Sequence, residues 1–325
     1  MPIATRLTQR LGIKHPVLLA PMGSISGGAL AAAVTAAGGL GLIGGGYGDA
    51  AWLEQQFAAA GNHRIGCGFI TWSLAKQPAL LDRALARGPA ALMLSFGDPR
   101  PFARRIKEAG VLLICQIQTL DHLDHALDAG ADIVVAQGSE AGGHGARRAT
   151  LPLVPEVVDI VARRGSDALV VAAGGIADGR GLAAALMLGA EGVLVGTRFY
   201  ASTESLAHAR AKAHMAQAQG DATIRTTTVD VVRDIPWPSD FTVRTLRNGF
   251  VERWHGAESD LRERQAPEMA RYQAAVAEGD FAVACVLGGE AVGLFDAVLP
   301  AGEIVAGMVA EAERTLAAGA RKITS

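Results

Sequence analysis

Residues 169–178 read LVVAAGGIAD, and this stretch decides how the fold is interpreted. Its first five residues are apolar, and two glycines follow them directly. A strand that is covered on both faces is a continuous apolar run of this kind. Glycines at the end of a strand allow the backbone to approach a bound ligand closely. The stretch therefore predicts a buried parallel strand followed by a ligand-binding loop.

Seven similar apolar runs occur earlier or later in the chain. They lie at residues 17–20, 40–43, 65–70, 91–95, 111–116, 133–137 and 192–196. Stretches of helical period separate them, for example at residues 28–37, 78–87, 102–109, 120–129 and 180–188. Eight alternations of strand and helix predict an α/β fold and favour a (β/α)8 TIM barrel. Spacing alone leaves an open, doubly wound sheet as the alternative.

The hexapeptide GLGLIG at residues 39–44 fits the pattern G-x-G-x-x-G. In a dinucleotide-binding fold, that pattern follows a strand and begins a helix. Here the glycines follow a helical stretch and contain one of the predicted strands. We therefore do not interpret them as a nucleotide site.

The composition excludes several classes of function. Of the 325 residues, 50% are hydrophobic and 19% are charged, which is typical of a globular protein with a large core. The formal net charge of −2 provides no basic surface for nucleic acid. No apolar run approaches the roughly 18 residues of a membrane span, and no secretory signal begins the chain. We expect a soluble cytoplasmic protein, and base rates for soluble enzymes suggest a homodimer.

The three cysteines, Cys67, Cys115 and Cys285, are far apart and include no C-x-x-C pair. This spacing argues against a disulfide framework and against a zinc site, so we expect them to be small buried hydrophobes. No set of His, Cys, Asp and Glu has metal-ligand spacing, and no G-x-S-x-G motif is present. We therefore predict an organic cofactor and no metal.

The sequence pattern changes after about residue 212. Residues 217–271 are polar, contain the motif Pro236-Trp237-Pro238, and include no strands of the barrel type. Residues 300–318 return to a helical period. We predict a barrel at residues 1–212, an inserted lid or substrate domain at 213–274, and a C-terminal segment at 275–325 that packs back on the barrel.

The active site of such a barrel lies at the carboxyl ends of its strands, and phosphate groups commonly bind after the seventh and eighth strands. Gly174 and Gly175 follow the seventh predicted strand, whereas Gly196 and Thr197 follow the eighth. Glycine N–H groups, a Thr hydroxyl and a helix N-terminus all favour phosphate. Tight turns without a ligand are the alternative interpretation.

Other strand ends supply residues that suit a flat ring. Ala20, Pro21 and Met22 form an apolar turn after the first strand, although plain packing also explains such a turn. Gln116 and Gln137 end the fifth and sixth strands. Their amides either hydrogen-bond the polar edge of the ring or are simply polar residues at strand ends.

His144 is the best catalytic candidate. It lies in the sequence GSEAGGHG at residues 138–145, after the sixth strand, where the glycines leave little side-chain mass to bury it. The pKa of histidine is near neutrality, which suits proton transfer. We therefore predict that His144 acts in catalysis.

Four motifs together resemble the nitronate monooxygenase family, formerly called 2-nitropropane dioxygenases. They are APM at residues 20–22, EAGGH at 140–144, AAGGIA at 172–177 and GTRF at 196–199. The resemblance extends in order over most of residues 16–208. Weaker similarity continues at GGE (288–290) and in the final helix.

The resemblance implies an FMN-dependent oxidoreductase that binds its cofactor without a covalent bond. It places the FMN phosphate at the glycines after strands seven and eight and the flavin ring against residues 20–22. Ala141, Gly142 and Gly143 are then close to the cofactor, and His144 matches the active-site histidine. The implied reaction converts an alkyl nitronate or nitroalkane and O2 into a carbonyl compound and nitrite.

The same motifs also resemble FMN-dependent enoyl-ACP reductases, and ESLAH at residues 204–208 adds to that likeness. NADH:quinone reductases form a related group. An NAD(P)H-dependent reductase of enoyl or quinone type is therefore the alternative activity, and a non-catalytic flavin-binding barrel is an alternative of another class. Two positions depart from the family pattern. Residues 66–69 (GCGF) lack an Asn found in many relatives, and Arg147 and Arg148 either favour an anionic substrate or are solvated.

Overall fold

The eight apolar runs form eight parallel strands of one sheet in a computed structural model, which describes residues 3–322. The sheet closes on itself because the backbone of Leu40 bonds both Val17 and Leu19 and so joins the second run to the first. The predicted (β/α)8 TIM barrel is confirmed. The strands of the chain are β1 (Val17–Leu19), β2 (Leu42–Gly44), β3 (Gly66–Ile70), β4 (Ala91–Ser95), β5 (Leu112–Ile117), β6 (Ile133–Gln137), β7 (Gly143–Gly145), β8 (Leu169–Ala173), β9 (Gly192–Val195), β10 (Thr223–Thr226) and β11 (Thr242–Leu246).

Helices follow the barrel strands and cover the outer face of the ring. Polar residues begin several of them: Asp49 accepts a hydrogen bond from the N–H of Trp52, and Thr119 accepts one from the N–H of His122. The helices are α1 (Arg6–Leu11), α2 (Gly28–Ala36), α3 (Ala50–Ala59), α4 (Thr71–Leu74), α5 (Ala79–Ala86), α6 (Arg100–Glu108), α7 (Leu120–Asp128), α8 (Thr150–Arg163), α9 (Gly179–Met187), α10 (Thr197–Tyr200), α11 (Ala209–Gln217), α12 (Thr228–Val232), α13 (Gly249–Trp254), α14 (Glu258–Glu263), α15 (Gln265–Glu278) and α16 (Ala301–Arg321).

Alternate strand residues point to opposite sides of the barrel wall. Leu18 belongs to the cluster inside the barrel, whereas its neighbour Leu19 packs under the surrounding helices. Helix α1 adds Leu7 and Leu11 to the interior cluster, where they are 0% and 1% exposed. An apolar plug therefore closes the end of the barrel opposite the carboxyl ends of the strands, which leaves the carboxyl ends for a ligand.

The helical period of residues 300–318 corresponds to α16, which packs against α2 and α9. Ile304 and Met308 of α16 belong to the same core cluster as the barrel strands. Gly179 allows the close approach, because a Cβ there would lie 2.4 Å from the backbone N of Ala312.

Strands β7, β10 and β11 form a separate antiparallel sheet beside the barrel. Two of these strands lie within residues 217–271. The sequence pattern correctly showed no barrel strands there, but it did not predict this antiparallel sheet. The third comes from the loop after β6, so the predicted lid (residues 213–274) pairs with a segment of the barrel chain. The division of the chain at residues 212 and 274 stays a prediction.

The structure also bears on the predictions for residues 39–44, for the cysteines and for membrane spans. Residues 39–44 follow α2 and lead into β2, which is not the arrangement of a dinucleotide site. The thiols of Cys67, Cys115 and Cys285 are free; the first two are buried, and the third is half-buried. No helix of residues 3–322 is long and apolar enough to cross a membrane. The homodimer stays a prediction.

Candidate active site

A cavity of about 520 Å³ opens at the carboxyl ends of the barrel strands, and lid residues line its other side. Small-molecule sites typically have roughly 300–1,000 Å³. The structure places every residue predicted for the site along this one cavity: Ala20, Pro21, Met22, Gln116, Gln137, Ala141, Gly142, Gly143, His144, Gly174, Gly175, Gly196 and Thr197. Their individual roles stay predictions.

The loop after β8 has the geometry of an anion-binding turn. Gly174 and Gly175 have φ angles of +98° and +73°, and neither N–H has an acceptor within residues 3–322. A Cβ on Gly174 would lie 2.9 Å from the carbonyl oxygen of Gly138. Unpaired N–H groups beside a cavity are suitable donors for phosphate oxygens. The loop therefore fits the phosphate of an FMN molecule.

The first turn of α9, the helix after this loop, is already partly hydrogen-bonded, and the contribution of a helix N-terminus to phosphate binding stays a prediction. The Asp178 side chain accepts a hydrogen bond from the N–H of Gly181 at 3.1 Å. Glu311 accepts one from the N–H of Gly179 at 2.8 Å. Two carboxylates already occupy the positive end of α9, and one of them comes from the distant final helix. A phosphate here would depend on the loop and on the region of Thr197.

Thr197 connects two of the predicted loops. Its Oγ1 accepts a hydrogen bond from the N–H of Gly289 at 3.0 Å, which leaves the hydroxyl proton free to donate. Gly289 also packs on Gly142, because a Cβ on Gly142 would lie 2.6 Å from its backbone N. The GGE motif at residues 288–290 therefore ties together the loops that follow β6 and β9.

The turn after β1 packs against β3. A Cβ on Gly68 would lie 2.4 Å from Cγ of Pro21, so a larger residue there would displace the proline. Gly68 belongs to the GCGF segment that lacks the Asn of many relatives. Gly68 thus allows the turn after β1 to pack closely on β3.

The two glutamines belong to a chain of hydrogen bonds across the mouth of the barrel. The Ser95 hydroxyl donates to Oε1 of Gln116 at 3.1 Å, and Nε2 of Gln116 donates to Oε1 of Gln137 at 2.8 Å. Nε2 of Gln137 then donates to the backbone oxygen of His144 at 2.8 Å. Each amide group keeps one N–H for a further acceptor. The chain positions the His144 backbone relative to the barrel.

His144 lies on β7, which pairs with β11 of the lid. Its Nε2 is 2.9 Å and 3.0 Å from the two carboxylate oxygens of Asp230. Its ring stacks on that of Trp237, with centroids 3.5 Å apart and planes inclined by 9°. The side chain is only 8% exposed, so the expectation that flanking glycines leave it unburied is wrong. Lid residues that are distant in sequence cover it instead.

Burial lowers the pKa of His144 below its usual value, and the Asp230 carboxylate opposes this effect without cancelling it. The imidazole is therefore neutral near pH 7. A carboxylate can only accept a hydrogen bond, so Nε2 carries the ring proton and Nδ1 carries the lone pair. A carboxylate that orients a neutral imidazole in this way is an arrangement suited to general-base catalysis.

Aromatic side chains form the cavity wall next to His144. Nε1 of Trp237 donates a hydrogen bond to the hydroxyl of Tyr47 at 2.9 Å. The ring of Phe96 meets Trp237 edge to face at 5.1 Å and Phe241 at 5.2 Å. Phe96 has a φ of +62°, which is unusual for a bulky residue, and such backbone strain clusters at functional sites.

Two arginines of the lid sheet hold the loop that carries His144. Nε of Arg225 and Nε of Arg244 donate to the carbonyl oxygen of Ser139 at 3.0 Å and 2.9 Å. Arg225 also donates to the carbonyl of Gly145 at 3.2 Å. Burial lowers the pKa of Arg225 to about 10, so it remains charged at neutral pH.

Arg147 and Arg148, which follow His144 after two small residues, have no such role. Arg147 is exposed and Arg148 pairs with Glu156 on the surface, and neither lines the cavity. The interpretation of these two residues as solvated side chains fits the structure better than a role with an anionic substrate.

The sequence pattern did not identify Asp230, Trp237 and Tyr47 as site residues. The flanking prolines of Trp237 were a visible signal, because they mark a rigid exposed turn in which a large apolar ring is unusual. Nothing local distinguishes Asp230 from the other acidic residues. No cluster of metal-ligating side chains occurs among residues 3–322.

Comparison with known proteins identifies the family. The sequence model described as nitronate monooxygenase matches residues 4–63 and 71–311. The chain belongs to the nitronate monooxygenase family. The resemblance noted in the sequence is thus confirmed, as is the prediction of an oxidoreductase. Flavin dependence is typical of this family.

Individual members and relatives of the nitronate monooxygenase family show how broad this group is. A nitronate monooxygenase of Neurospora crassa is 32% identical, over 93% of this chain and 90% of its own length. An octahydroindene-carboxyl-CoA dehydrogenase of Mycobacterium tuberculosis is 36% identical, over 71% of this chain and 65% of that protein. The structure of FabK from Thermotoga maritima superposes with a TM-score of 0.84 at 31% identity, over 97% of both chains.

Proposed function

We propose that this protein binds FMN and uses O2 to oxidise alkyl nitronates to a carbonyl compound and nitrite. In net terms, two nitronate anions and one O2 contain the atoms and charges of two carbonyl products and two nitrite anions. The reaction therefore needs no pyridine nucleotide. The observation that supports the proposal most strongly is that the glycine loop at residues 174–175 lines the same cavity as His144, which Asp230 and Trp237 hold in place.

The cavity offers hydrogen-bond donors and an apolar surface that suit FMN. The N–H groups of Gly174 and Gly175 and the hydroxyl of Thr197 are donors for a phosphate. The turn at residues 20–22 offers an apolar surface for the flavin ring. When bound, FMN supplies the redox centre that takes electrons from the substrate.

The role of His144 depends on the form of the substrate. An alkyl nitronate has already lost its α-proton, so it needs no base, and His144 has no free N–H to donate to it because Nε2 is bound to Asp230. A neutral nitroalkane still carries this proton, and Nδ1 of His144 is the basic atom to accept it. General acid–base catalysis contributes typically 10²- to 10⁴-fold to a rate. Neutral substrates should therefore depend much more strongly on His144 than nitronates do.

The proposal is tested by anaerobic spectroscopy of the purified flavoprotein. The protein is mixed separately with an alkyl nitronate, with NADH and with NADPH, and the flavin absorbance is recorded. We expect a spectral change with the nitronate and none with either pyridine nucleotide. Air is then admitted, and the release of nitrite is measured to identify the product. Absence of any response to nitronate would contradict the proposal.

The variant His144→Ala extends this test to the catalytic residue. It should retain FMN but lose most turnover of a neutral nitroalkane, because the base is removed while the phosphate-binding loops remain. FMN content is measured from the absorbance of the desalted protein. Unchanged nitroalkane oxidation by His144→Ala would refute the assigned role.

A second candidate is an NAD(P)H-dependent reductase of an enoyl thioester or quinone. Its support is the apolar side of the cavity, which reaches the surface at Val276, a residue that is 53% exposed. Such a rim suits the long arm of a thioester, and a relative in the family is named for a CoA thioester. Rapid loss of flavin absorbance with NADH or NADPH, without a response to nitronate, would select this activity.

A further inference from the structure

Arg233 is the only Arg, Lys, Asp or Glu among the cavity-lining residues of the described chain. It directly follows α12, and its guanidinium carbon lies 5.8 Å from the ring centroid of Tyr47. Asp230, one turn earlier, is bound to His144. Arg233 forms no ion pair with a carboxylate of residues 3–322. The guanidinium of Arg233 thus lines the cavity without an ion-pair partner among the described residues.

Tyr47 places a neutral donor beside this cation. Its hydroxyl oxygen accepts the hydrogen bond from Nε1 of Trp237 at 2.9 Å. Burial raises the pKa of Tyr47, and the opposing effects of Trp237 and Arg233 are smaller, so the phenol keeps its proton. Its O–H has no acceptor among the hydrogen bonds of residues 3–322. A guanidinium and a phenol donor are therefore neighbours on the cavity wall.

These two groups match a planar anion with two oxygens. The guanidinium presents parallel N–H donors, which fit a carboxylate-like pair of oxygens better than they fit a single atom. A nitronate carries its charge on two oxygens of one planar group, and nitrite has the same arrangement. A neutral ketone or alkene has no such pair.

We propose that Arg233 and Tyr47 form an anion subsite that binds the nitronate oxygens of the substrate. Trp237 links this subsite to the catalytic residue, because its ring stacks on His144 while its Nε1 binds Tyr47. The indole thereby sets the separation between the bound anion and the imidazole. That the anion is a nitronate rests on the proposed function. That the subsite prefers a planar anion with two oxygens rests on Arg233 and Tyr47 alone.

The first test measures binding without turnover. Nitrite is titrated into the FMN-loaded protein in a calorimeter. We expect Arg233→Met to weaken nitrite binding roughly 10- to 100-fold, and Arg233→Lys to weaken it less, since a charge-assisted hydrogen bond is lost or made single. Tyr47→Phe should weaken it about threefold or more. Arg262→Met removes an exposed lid charge outside the cavity and is the matched control.

The second test uses steady-state kinetics with the same variants. In Arg233→Met, the KM for an alkyl nitronate should rise by a similar factor, and the KM for the neutral nitroalkane, whose nitro group carries no net charge, should rise by a smaller factor. Because Arg233 is exposed, FMN content and Tm should match the wild type.

The outcomes separate the subsite from the proposed function. If the wild type oxidises nitronates but binds nitrite as tightly after Arg233→Met, or binds no nitrite at all, the subsite is refuted and the function stands. If the wild type does not oxidise nitronates but its nitrite binding requires Arg233, the subsite stands and the function is wrong.

Discussion

Replacing Asp230 by Asn removes one negative charge and retains the shape of the side chain. In the wild type, both carboxylate oxygens lie within 3.0 Å of Nε2 of His144, and the side chains of His144 and Asp230 are 8% and 6% exposed. A hydrogen bond with a charged partner contributes roughly 1.5–3 kcal/mol. The Asn oxygen can still accept the Nε2 proton. It cannot stabilise the positive charge that develops when Nδ1 takes a proton from a substrate.

We therefore expect kcat/KM of Asp230→Asn for a neutral nitroalkane to fall roughly 10- to 100-fold. The value for a preformed nitronate should fall less than about threefold, because no proton is transferred to the imidazole. The pH dependence should also change. Since Asp230 raises the pKa of His144 against the larger effect of burial, its loss should move the acid limb of the nitroalkane profile to lower pH.

The assay is nitrite release from both substrates over a range of pH, with FMN content measured for each variant. Asp234→Asn is the matched control, because Asp234 is exposed and its φ of +54° is one that Asn tolerates. Equal losses with nitroalkane and nitronate would refute the reasoning, as would an acid limb that does not move. Either result would mean that Asp230 supports the lid rather than the imidazole.

Three further variants test other parts of the site. Gly175→Ala should reduce the FMN retained after desalting, because Gly175 has a φ of +73° and belongs to the loop proposed to bind the FMN phosphate. Gly165→Ala is the control and should not reduce it, because Gly165 has a similar φ of +61° and no atom lies within 4 Å of the new Cβ. Equal retention in the two variants would contradict the phosphate site. Folding stability should decrease as pH falls below 6.5, because the unfolded chain protonates His144 before the folded one does, and thermal unfolding of His144→Gln should show a weaker pH dependence. A dependence equal to that of the wild type would exclude this contribution. Arg225→Met should lower Tm, because the carbonyl groups of Gly145 and Thr242 each lose a donor at roughly 1–3 kcal/mol, whereas the carbonyl of Ser139 keeps Arg244. An unchanged Tm would show that the loop is held by other contacts.

The barrel was predictable because its signals are local. Each buried strand, such as Leu169–Ala173, is a continuous apolar run, and each run is followed by residues of helical period. The antiparallel sheet of the lid was not predictable in this way. Its strands Thr223–Thr226 and Thr242–Leu246 are short and mix Thr, Arg and apolar residues. Their pairing with Gly143–Gly145 depends on contacts between distant parts of the chain.

The residues of the site likewise fall into those that local sequence could place and those that it could not. Gly174, Gly175 and Thr197 could be placed at strand ends because in a barrel all carboxyl ends meet at one face. The surroundings of His144 could not be placed, because Asp230 and Trp237 approach it only when the lid folds over the barrel. The flanking glycines suggested that the His144 side chain is exposed. This expectation failed because a local sequence contains no information about which distant residues will cover a side chain.

The closure of the sheet was visible only in the structure, in the backbone bonds of Leu40. The sequence alone determined the alternation of strands and helices that favours a barrel, the face that carries the site, the glycine loops, the candidate histidine and the resemblance to the family. These features follow from periodicity, from conformations open to glycine and from short motifs, all of which are local properties of the chain. Only the tertiary structure decided the protonation and orientation of His144, the carboxylates at the start of α9, and the pairing of Arg233 with Tyr47. Each of these depends on burial or on charges brought together from distant residues, and neither quantity exists until the chain has folded.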